Sequence, residues 1–341
     1  MMTDSIADQA FSKLSPDLVM DAVESVRFRC DARILELNSY ENRVYQIGIE
    51  PQGQSEYEDP VVGKFYRPNR WTGDQILEEH QFTQELADNE VSVVPPLELG
   101  SPHGTLAKFG DFRFSLYPRR GGRAPNLDNL HSLEILGRHI GRIHAFGSQE
   151  NFQYRPEISV ESYGVNSRQY LLENDFIPSE LIPAYESVSE QLLSDLQRVF
   201  AESDSVRKIR LHGDCHMGNV LWRNDVPHFV DFDDARTGQP IQDLWMMLSG
   251  NYEEQTQQLT AILKGYKDFC SFDHSQIRLV EPLRTLRMMY HASWIARRWH
   301  DPAFPRAFPF FNTQRYWSEH ILELREQWAQ LSEPAIQIMD W

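Results

Sequence analysis

The stretch IRLHGDCHMGNVLWRNDVPHFVDFDDA, residues 209–235, sets polar residues between short runs of strand-forming residues. The runs VRKIRLH and VPHFVDF predict two short strands, and GDCHMGNVLW predicts a loop and a third strand between them. Asp214 then lies on the loop, Asn219 follows five residues later, and Asp231 opens the turn after the last strand. Polar side chains at this density cost stability unless they have partners, so the stretch predicts a binding or catalytic loop.

An acid, an amide and a second acid that converge in one cleft suit a hard cation. Mg²⁺ prefers oxygen ligands, takes one or two from the protein and fills its other positions with phosphates and water. If Asn219 and Asp231 hold the metal, Asp214 is left to accept a hydroxyl proton, which is the division that phosphoryl transfer needs.

The structural alternative is that these Asp and Asn side chains bond their own turns, as they usually do in loops. The five specified positions of H-G-D-x-H-x-x-N, followed by a strand that ends in Asp-x-Asp, favour the functional interpretation.

Length, composition and charge bound the class of protein. The chain has 341 residues, of which 41% are hydrophobic and 12% aromatic, so we expect two domains or one large two-lobed unit with a packed core. The formal net charge of −17 argues against non-specific nucleic-acid binding and against docking on an anionic membrane. Three scattered cysteines predict no disulfide framework. With no signal-peptide pattern and no long apolar run, we expect a cytoplasmic protein.

Hydrophobic patterning divides the chain into a strand-rich part and a helical part. Ser15-Pro16 predicts a helix start. Strands are predicted in the segments ARILELNSYENRVYQIGIE (two strands), DPVVGKFYR, SVVPPLELG and GDFRFSLYP, and Thr72 with Gln75 predicts a capping box for a helix through Leu86. Helices are predicted from His131 onward, at about 184–201, 254–270, 277–299 and 314–331, and Gly137 and Gly141 allow close helix contact. We place the domain boundary at residues 117 and 118, giving 1–117 and 118–341.

The motifs LHGDCHMGN and VDFDDA resemble the catalytic and metal loops of the aminoglycoside phosphotransferase and choline kinase branch of the protein-kinase-like fold. The resemblance implies an α+β bilobal fold with a β-rich N-terminal lobe and a mainly helical C-terminal lobe. It implies that Asp214 is the catalytic base, and that Asn219 and Asp231 bind Mg²⁺, Asp231 thereby also serving catalysis. It further implies that Asp243 ties down the catalytic loop, while His212 and His216 match positions that buttress it.

The resemblance also assigns a nucleotide site to the N-terminal lobe. A kinase needs a strand lysine for the phosphates and a helix glutamate to orient it, and these would be Lys64 and Glu79, with Glu78 as the alternative. The segment from Leu37 to Ile47 contains no glycine, unlike the glycine-rich loop of protein kinases. Ser39 and Asn42 would instead help the turn at residues 39–42 bind ATP. The adenine hinge would lie near residues 116–119.

Five segments together resemble the bacterial stress response kinase A family: LNSYENRVYQ, KFYRPNRWTGDQILEEHQF, LHGDCHMGN, QDLWMML and RRWHDPAFP. This resemblance implies a cytoplasmic serine/threonine protein kinase that uses ATP and Mg²⁺, and we expect a monomer that binds neither nucleic acid nor membrane. Alternatives are a small-molecule kinase of the same fold and a nucleotide-binding pseudokinase. A choline acceptor would need an aromatic cage, for which Tyr290, Trp294 and Trp299 are candidates. The arginines of the same segment, at 284, 287, 297 and 298, would discourage a cationic acceptor if they face the cleft, or else they form a solvated helix face or local ion pairs.

Overall fold

The computed structural model describes residues 11–50 and 60–338 and divides into two compact units. The first unit comprises Met1–Pro125, Gln153–Arg155 and Gly218–Asp233, and the second comprises Asn126–Phe152, Pro156–Met217 and Asp234–Trp341. The division at residues 117 and 118 stays a prediction. The signal-peptide expectation concerns in part residues 1–10, which lie outside the described residues.

The first unit is built around an antiparallel sheet of five strands. These are β1 Cys30–Leu37, β2 Arg43–Ile49, β3 Val61–Phe65, β4 Ala107–Phe109 and β5 Phe112–Pro118. They hydrogen-bond in the order β1-β2-β3-β5-β4. The sheet confirms the predicted strands, with one exception. The segment Ser92–Gly100 is not a strand but an extended connection with a single bridge from Val93 to Phe229, because Pro95 and Pro96 have no N–H to donate to a ladder.

Two helices complete the first unit's main framework. Helix α1, Pro16–Ser25, is capped by the Ser15 hydroxyl, which accepts the Leu18 N–H. Helix α2, Gly73–Asp88, has the predicted capping box between Thr72 and Gln75. Both starts follow from side-chain oxygens that satisfy helix N–H groups left without partners. The apolar face of α1 packs into a core that includes Val19, Ala22, Val23, Ile47, Phe65 and Phe114.

A β-hairpin carries the second half of the motif-rich stretch. Its strands are β7 Val220–Arg223 and β8 Val226–Phe229, numbered after a strand β6 of the second unit. The two-residue turn between them, Asn224-Asp225, has φ values of 52° and 59°. Asn and Asp adopt this left-handed conformation more readily than other side chains, which suits a tight hairpin turn. The predicted strand–turn–strand arrangement is confirmed here.

The second unit is mainly helical. Its helices are α3 Leu130–Gly147, α4 Asn166–Glu173, α5 Ile182–Glu202, α6 Ile241–Trp245, α7 Tyr252–Tyr266, α8 Val280–Ala296, α9 Ala303–Ala307 and α10 Gln314–Gln330. A π-helical turn, Val160–Val165, precedes α4. The glycine spacing in α3 has the predicted effect. A Cβ at Gly137 would lie 2.0 Å from the Ile262 carbonyl oxygen, and one at Gly141 would lie 2.6 Å from that of Tyr266, so only glycine permits this contact with α7.

Two short strands flank the motif-rich stretch within the second unit. Strand β6, Ile209–Leu211, pairs antiparallel with β9, Arg236–Gly238. The sequence predicts β6 but not β9, because Arg-Thr-Gly is too short for a typical strand and shows no alternation of apolar and polar residues. Within residues 11–50 and 60–338, none of the helices combines the length and the apolar character that a membrane crossing requires.

Candidate active site

The loop that carries Asp214 is anchored by Asp243. The Asp243 carboxylate accepts the N–H groups of His212 and Gly213, both at 2.9 Å. Nε2 of His144 lies 3.0 Å from the same carboxylate, and its Nδ1 lies 2.9 Å from the Tyr266 hydroxyl. Hydrogen bonds to a buried carboxylate are among the stronger ones in proteins, so this network fixes the loop backbone. The predicted anchoring role of Asp243 is confirmed.

Gly213 is required where the loop turns. Its φ is +83°, a conformation that L side chains rarely adopt, and a Cβ there would lie 2.1 Å from the Asp234 carbonyl oxygen. The neighbouring Cys215 is buried, and burial raises the pKa of its thiol well above the ordinary value, with the Asp243 and Asp214 carboxylates adding to the shift. The thiol therefore stays protonated, which favours the packing interpretation over a reactive cysteine.

Asp214 is held between a guanidinium and an imidazole. Arg287 Nη2 lies 2.6 Å from Oδ1 of Asp214, and Nε2 of His216 lies 3.5 Å from Oδ2. Burial by itself would raise the pKa of Asp214, but Arg287 and His216 outweigh it and bring the pKa below the ordinary range. The carboxylate is thus ionised at neutral pH and able to accept a hydrogen bond from a hydroxyl.

The remaining arginines and aromatic rings of the same segment have local partners. Arg284 Nη1 lies 3.0 Å from Glu281, the Arg297 guanidinium lies 4.0 Å from the Tyr170 ring centre, and Arg298 donates to the Trp294 carbonyl. The rings proposed for a choline cage each pack against a different aromatic partner, namely Tyr290 on Tyr163, Trp294 on Phe304 and Trp299 on Phe311. The sequence left open whether these arginines face the cleft or make local contacts. The three arginines named here make local contacts, whereas Arg287 contacts Asp214.

In the first unit, Lys64 on β3 is paired with two carboxylates. Its Nζ lies 2.9 Å from Oδ1 of Asp231 and 3.1 Å from Oδ1 of Asp233. Burial acts to lower the pKa of Lys64, but the two aspartates outweigh it and raise the pKa well above its usual value. Lys64 is therefore a buried permanent cation, which is the character needed by a residue that contacts phosphates.

The two candidate glutamates of α2 have different surroundings. The Glu78 carboxylate accepts the backbone N–H groups of residues 153–155. Glu79 is buried, and this burial raises its pKa to about 7 although Lys64 and Arg155 pull it down. Glu79 thus lies in the electrostatic field of Lys64, while the ion-pair contacts recorded for Lys64 among the described residues go to Asp231 and Asp233.

The open end of the β7–β8 hairpin brings Asn219 and Asp231 close in register. The Val230 N–H donates to the Asn219 carbonyl at 3.0 Å, and Asp231 is the next residue. Asp231 has φ +60° and a carboxylate that is 52% exposed, so its side chain stays accessible although it pairs with Lys64. No group of three or more His, Cys, Asp or Glu side chains in residues 11–50 and 60–338 is arranged to hold a metal. Asn219 and Asp231 fit a magnesium ion that takes its other ligands from phosphate and water.

The sequence profile of the phosphotransferase enzyme family matches residues 33–280, which include Lys64, Asp214, Asn219 and Asp231. The chain belongs to this family. Stress response kinase A of Escherichia coli (strain K12) is 43% identical over 328 residues, covering 96% of this chain and 97% of the relative. Serine/threonine protein kinase RdoA of Salmonella typhimurium (strain LT2) is 42% identical with the same coverage. This protein is therefore a phosphotransferase, similar to kinases named for a stress response.

Solved structures of phosphotransferases share the fold. Amicoumacin kinase hAmiN, solved with AMP-PNP, Ca²⁺ and Ami, superposes with a TM-score of 0.73 at 18% identity, covering 97% of this chain and 98% of that one. A microcompartment-associated aminopropanol kinase gives a TM-score of 0.64 at 16% identity, with 95% of each chain covered. At these identities the likeness shows the fold alone, and it confirms the predicted α+β kinase-like class.

The turn between β1 and β2, at residues 38–42, contains no glycine and is held in shape by contacts with arginine side chains. Asn42 is buried and its Oδ1 accepts the Arg67 N–H at 3.1 Å. Arg67 also donates to the Glu41 carbonyl at 2.9 Å, and its Nε lies 3.1 Å from the Glu41 carboxylate. Ser39 lies in the same turn and is half-buried. The turn is thus fixed by side chains from the segment that follows β3.

Two arginines make contacts that the sequence did not predict: Arg70 was assigned no role, and for Arg287 no partner was named. Arg70 pairs with the Asp233 carboxylate and also lies 3.7 Å from Glu41, so it links the β1–β2 turn to the residues after β8. Arg287 pairs with Asp214. Neither contact has a local sequence signal, because each joins residues far apart in the chain. The predicted hinge at residues 116–119 falls at the end of β5.

Proposed function

We propose that this phosphotransferase transfers the γ-phosphate of ATP, with Mg²⁺, to a serine or threonine hydroxyl of a protein in the cytoplasm. The observation that carries the proposal is the buried Lys64, held as a cation 2.9 Å from the partly exposed Asp231 carboxylate. A cation for phosphates beside a carboxylate for a metal is the pairing that phosphoryl-transfer enzymes use. The name of the 42% identical relative, a serine/threonine protein kinase, supports the protein acceptor.

On the nucleotide side, the roles follow from charge and exposure. Lys64 binds phosphate oxygens, and the ionised fraction of Glu79 adds to the negative field that keeps Lys64 charged. Asn219 and Asp231 would hold Mg²⁺, which would supply positive charge to offset that of the phosphates. Backbone N–H groups of the β1–β2 turn, with the Ser39 hydroxyl, contact the phosphates, while the Asn42 amide holds the turn in shape by its bond to Arg67.

On the acceptor side, Asp214 orients the hydroxyl and accepts its proton. A lowered pKa makes Asp214 a weak base, and this suits a loose transition state in which the bond between the γ-phosphorus and the ADP oxygen is largely broken before the acceptor proton moves to the carboxylate. The loop fixed by Asp243 holds the carboxylate in place, so that the acceptor oxygen is positioned rather than strongly activated.

The test is γ-phosphoryl transfer from labelled ATP with Mg²⁺, comparing wild type with Asp214→Ala. The acceptors are the protein itself, a generic basic protein, an acidic protein such as casein, and a pool of amino alcohols, sugars and aminoglycosides. We expect label on serine or threonine in protein that is lost in the variant. Label in small molecules alone would replace the protein acceptor by a metabolite, and ATP binding without any transfer would indicate a pseudokinase.

A further inference from the structure

Arg287 fixes a positive charge beside the carboxylate that is assigned the acceptor proton. Its guanidinium lies 2.6 Å from Oδ1 of Asp214, and its side chain is only 28% exposed. Arginine stays protonated at every physiological pH. Because partial burial weakens solvent screening, this charge acts strongly on any group that approaches Asp214. An acceptor hydroxyl at Asp214 is therefore always close to a cation.

The other groups that act on Asp214 do not cancel this charge. His216 lies 3.5 Å from Oδ2, and Asp234 and His291 act at longer range. Burial and the Arg287 charge together lower the pKa of His291 to about 4, so His291 is neutral at pH 7. The Asp234 carboxylate is itself paired with Arg236 at 3.4 Å. Arg287 is thus the permanent cation among the groups that face Asp214.

A second arginine of this unit, Arg236, lies over a stacked pair of tyrosines. Tyr163 and Tyr290 stack at 4.2 Å, and the Arg236 guanidinium lies 5.3 Å from the Tyr163 ring centre. Both tyrosines also interact with Arg287. The stacked pair therefore gives the Arg236 guanidinium a rigid aromatic support, which holds it in place instead of leaving it on a mobile side chain.

We propose that Arg287 selects the acceptor by charge, so that the substrate hydroxyl must carry an anionic group, a carboxylate or a phosphate, close beside it. The anionic group accepts bidentate hydrogen bonds from the Arg287 guanidinium, and this frees Oδ1 of Asp214 for the hydroxyl. An acceptor with an ammonium group near its hydroxyl is repelled. The inference rests on the proposed role of Asp214 in phosphoryl transfer and narrows the acceptor class.

The first arm of the test uses matched serine peptides that differ only in the two residues flanking the serine. Flanks of glutamate, phosphoserine, glutamine and lysine are compared by kcat/KM. We expect anionic flanks to exceed glutamine, and glutamine to exceed lysine, by about ten-fold at each step. The glutamate and phosphoserine peptides distinguish a carboxylate from a phosphate as the natural group. A lysine peptide that matches or exceeds the glutamine peptide would overturn the inference.

The second arm compares Arg287→Gln with Arg287→Lys. The glutamine variant should lose the charge order, so that the four peptides react within about three-fold of each other, while the lysine variant should keep the order with reduced kcat/KM. An unchanged charge order in Arg287→Gln would contradict the assignment. Should the glutamine variant fold poorly, the lysine variant and the wild-type peptide series still decide the question, since neither depends on removing the charge.

A pH profile separates charge selection from a merely structural role. Without Arg287, burial raises the pKa of Asp214 with less opposition, so the acidic limb of kcat/KM should move to higher pH in Arg287→Gln. In Arg287→Lys the limb should stay close to that of wild type. A loss of activity in Arg287→Gln with an unmoved limb would mean that the arginine only supports the fold.

A third arm separates two proposals: that the acceptor is a protein, and that the acceptor must carry an anionic group beside its hydroxyl, which is called the charge rule below. Aminopropanol, propanediol and a hydroxy acid of the same length are offered as small acceptors, and their binding with ADP and Mg²⁺ is measured by calorimetry. Transfer to the hydroxy acid alone would replace the protein acceptor but support the charge rule. Transfer to aminopropanol, or binding that shows no preference for the anion in peptides or small molecules, would overturn the charge rule.

Discussion

Lys64 and Asp231 stand 167 positions apart in the chain and form an ion pair with 2.9 Å between Nζ and Oδ1. The lysine is 8% exposed and the carboxylate 52% exposed, so the pair joins a buried cation to a carboxylate open to solvent. Asp233, which is 5% exposed, holds the lysine from a second direction at 3.1 Å. Burying a lysine is tolerated here because two carboxylates offset the loss of hydration.

Replacing Lys64 by methionine should destabilise the protein as well as impair nucleotide binding. Asp233 keeps its contact with Arg70 but loses the Lys64 ammonium while it remains buried. We expect the free energy of unfolding to fall by about 1–3 kcal/mol. Denaturant unfolding measures this, with Lys108→Met, at the exposed middle residue of strand β4, as the matched control, for which we expect little change. Equal losses in both variants would contradict the account.

Asp243→Asn should impair turnover more than ATP binding. The substitution removes the charge that holds the His212 and Gly213 N–H groups and the His144 ring, so the loop that carries Asp214 loosens. We expect kcat to fall by about ten- to a hundred-fold, with a stability loss of about 2 kcal/mol. Steady-state kinetics and nucleotide titration measure the two effects. Glu253→Gln, on the exposed start of α7, is the control, and a kcat equal to that of wild type in Asp243→Asn would refute the anchoring role.

Gly213→Ala tests whether the loop needs glycine for its conformation or for space. The variant meets both a positive φ and a carbonyl oxygen 2.1 Å from the new Cβ. Gly100 has a similar φ of +78° with nothing within 4 Å of a Cβ, so Gly100→Ala reports the backbone cost by itself. We expect about 1 kcal/mol of destabilisation for Gly100→Ala and about 2–4 kcal/mol for Gly213→Ala. Thermal unfolding compares them, and equal values would mean that the close approach to Asp234 is relieved by a small shift.

Glu79 should make the stability of the protein depend on pH. Its pKa is raised from the ordinary 4.5 to about 7 in the folded chain, so between these values the unfolded chain has lost the proton that the folded chain keeps. Stability therefore falls as pH rises through this window, by about 1.4 kcal/mol per unit from this group, and levels off above pH 7.

The uncharged isostere Glu79→Gln isolates that contribution. Relative to wild type, the variant should gain stability between pH 5 and pH 8, because it cannot ionise. Urea unfolding at several pH values gives the difference between the two proteins, in which the titration of other groups cancels. A difference that does not change with pH would show that Glu79 titrates near its ordinary value.

Local patterns in the sequence predicted the elements that local chemistry determines. The capping box at Thr72 and Gln75 and the close approach allowed by Gly137 and Gly141 both follow from the residues at those positions. The strand predicted for residues 92–100 was wrong because the prediction relied on their apolar residues and gave too little weight to two prolines. Strand β9 was missed because three residues are too few to show an alternation of apolar and polar side chains. Where the sequence has a cap, a close-packing glycine or a long alternating run, prediction succeeds.

Contacts between residues far apart in the chain could not be predicted from local sequence patterns. The Arg287–Asp214 pair depends on how α8 packs in the second unit, and no local pattern in the sequence predicts it. The choice between Glu78 and Glu79 was likewise open, because neighbours on a helix differ by only 100° of rotation and both are glutamates. Burial of Glu79 and the backbone bonds of Glu78 distinguish the two side chains.

The most direct test of the central claim is to measure phosphoryl transfer and Mg-ATP affinity together in Asp214→Ala and Asp231→Ala. The account predicts that Asp214→Ala abolishes transfer while Mg-ATP affinity stays within about two-fold of wild type, because the base touches the acceptor. Asp231→Ala should lose transfer and also bind ATP at least about ten-fold more weakly at limiting Mg²⁺. Near-normal transfer in Asp214→Ala, or unchanged Mg-ATP affinity in Asp231→Ala, would contradict the assignment of these two aspartates.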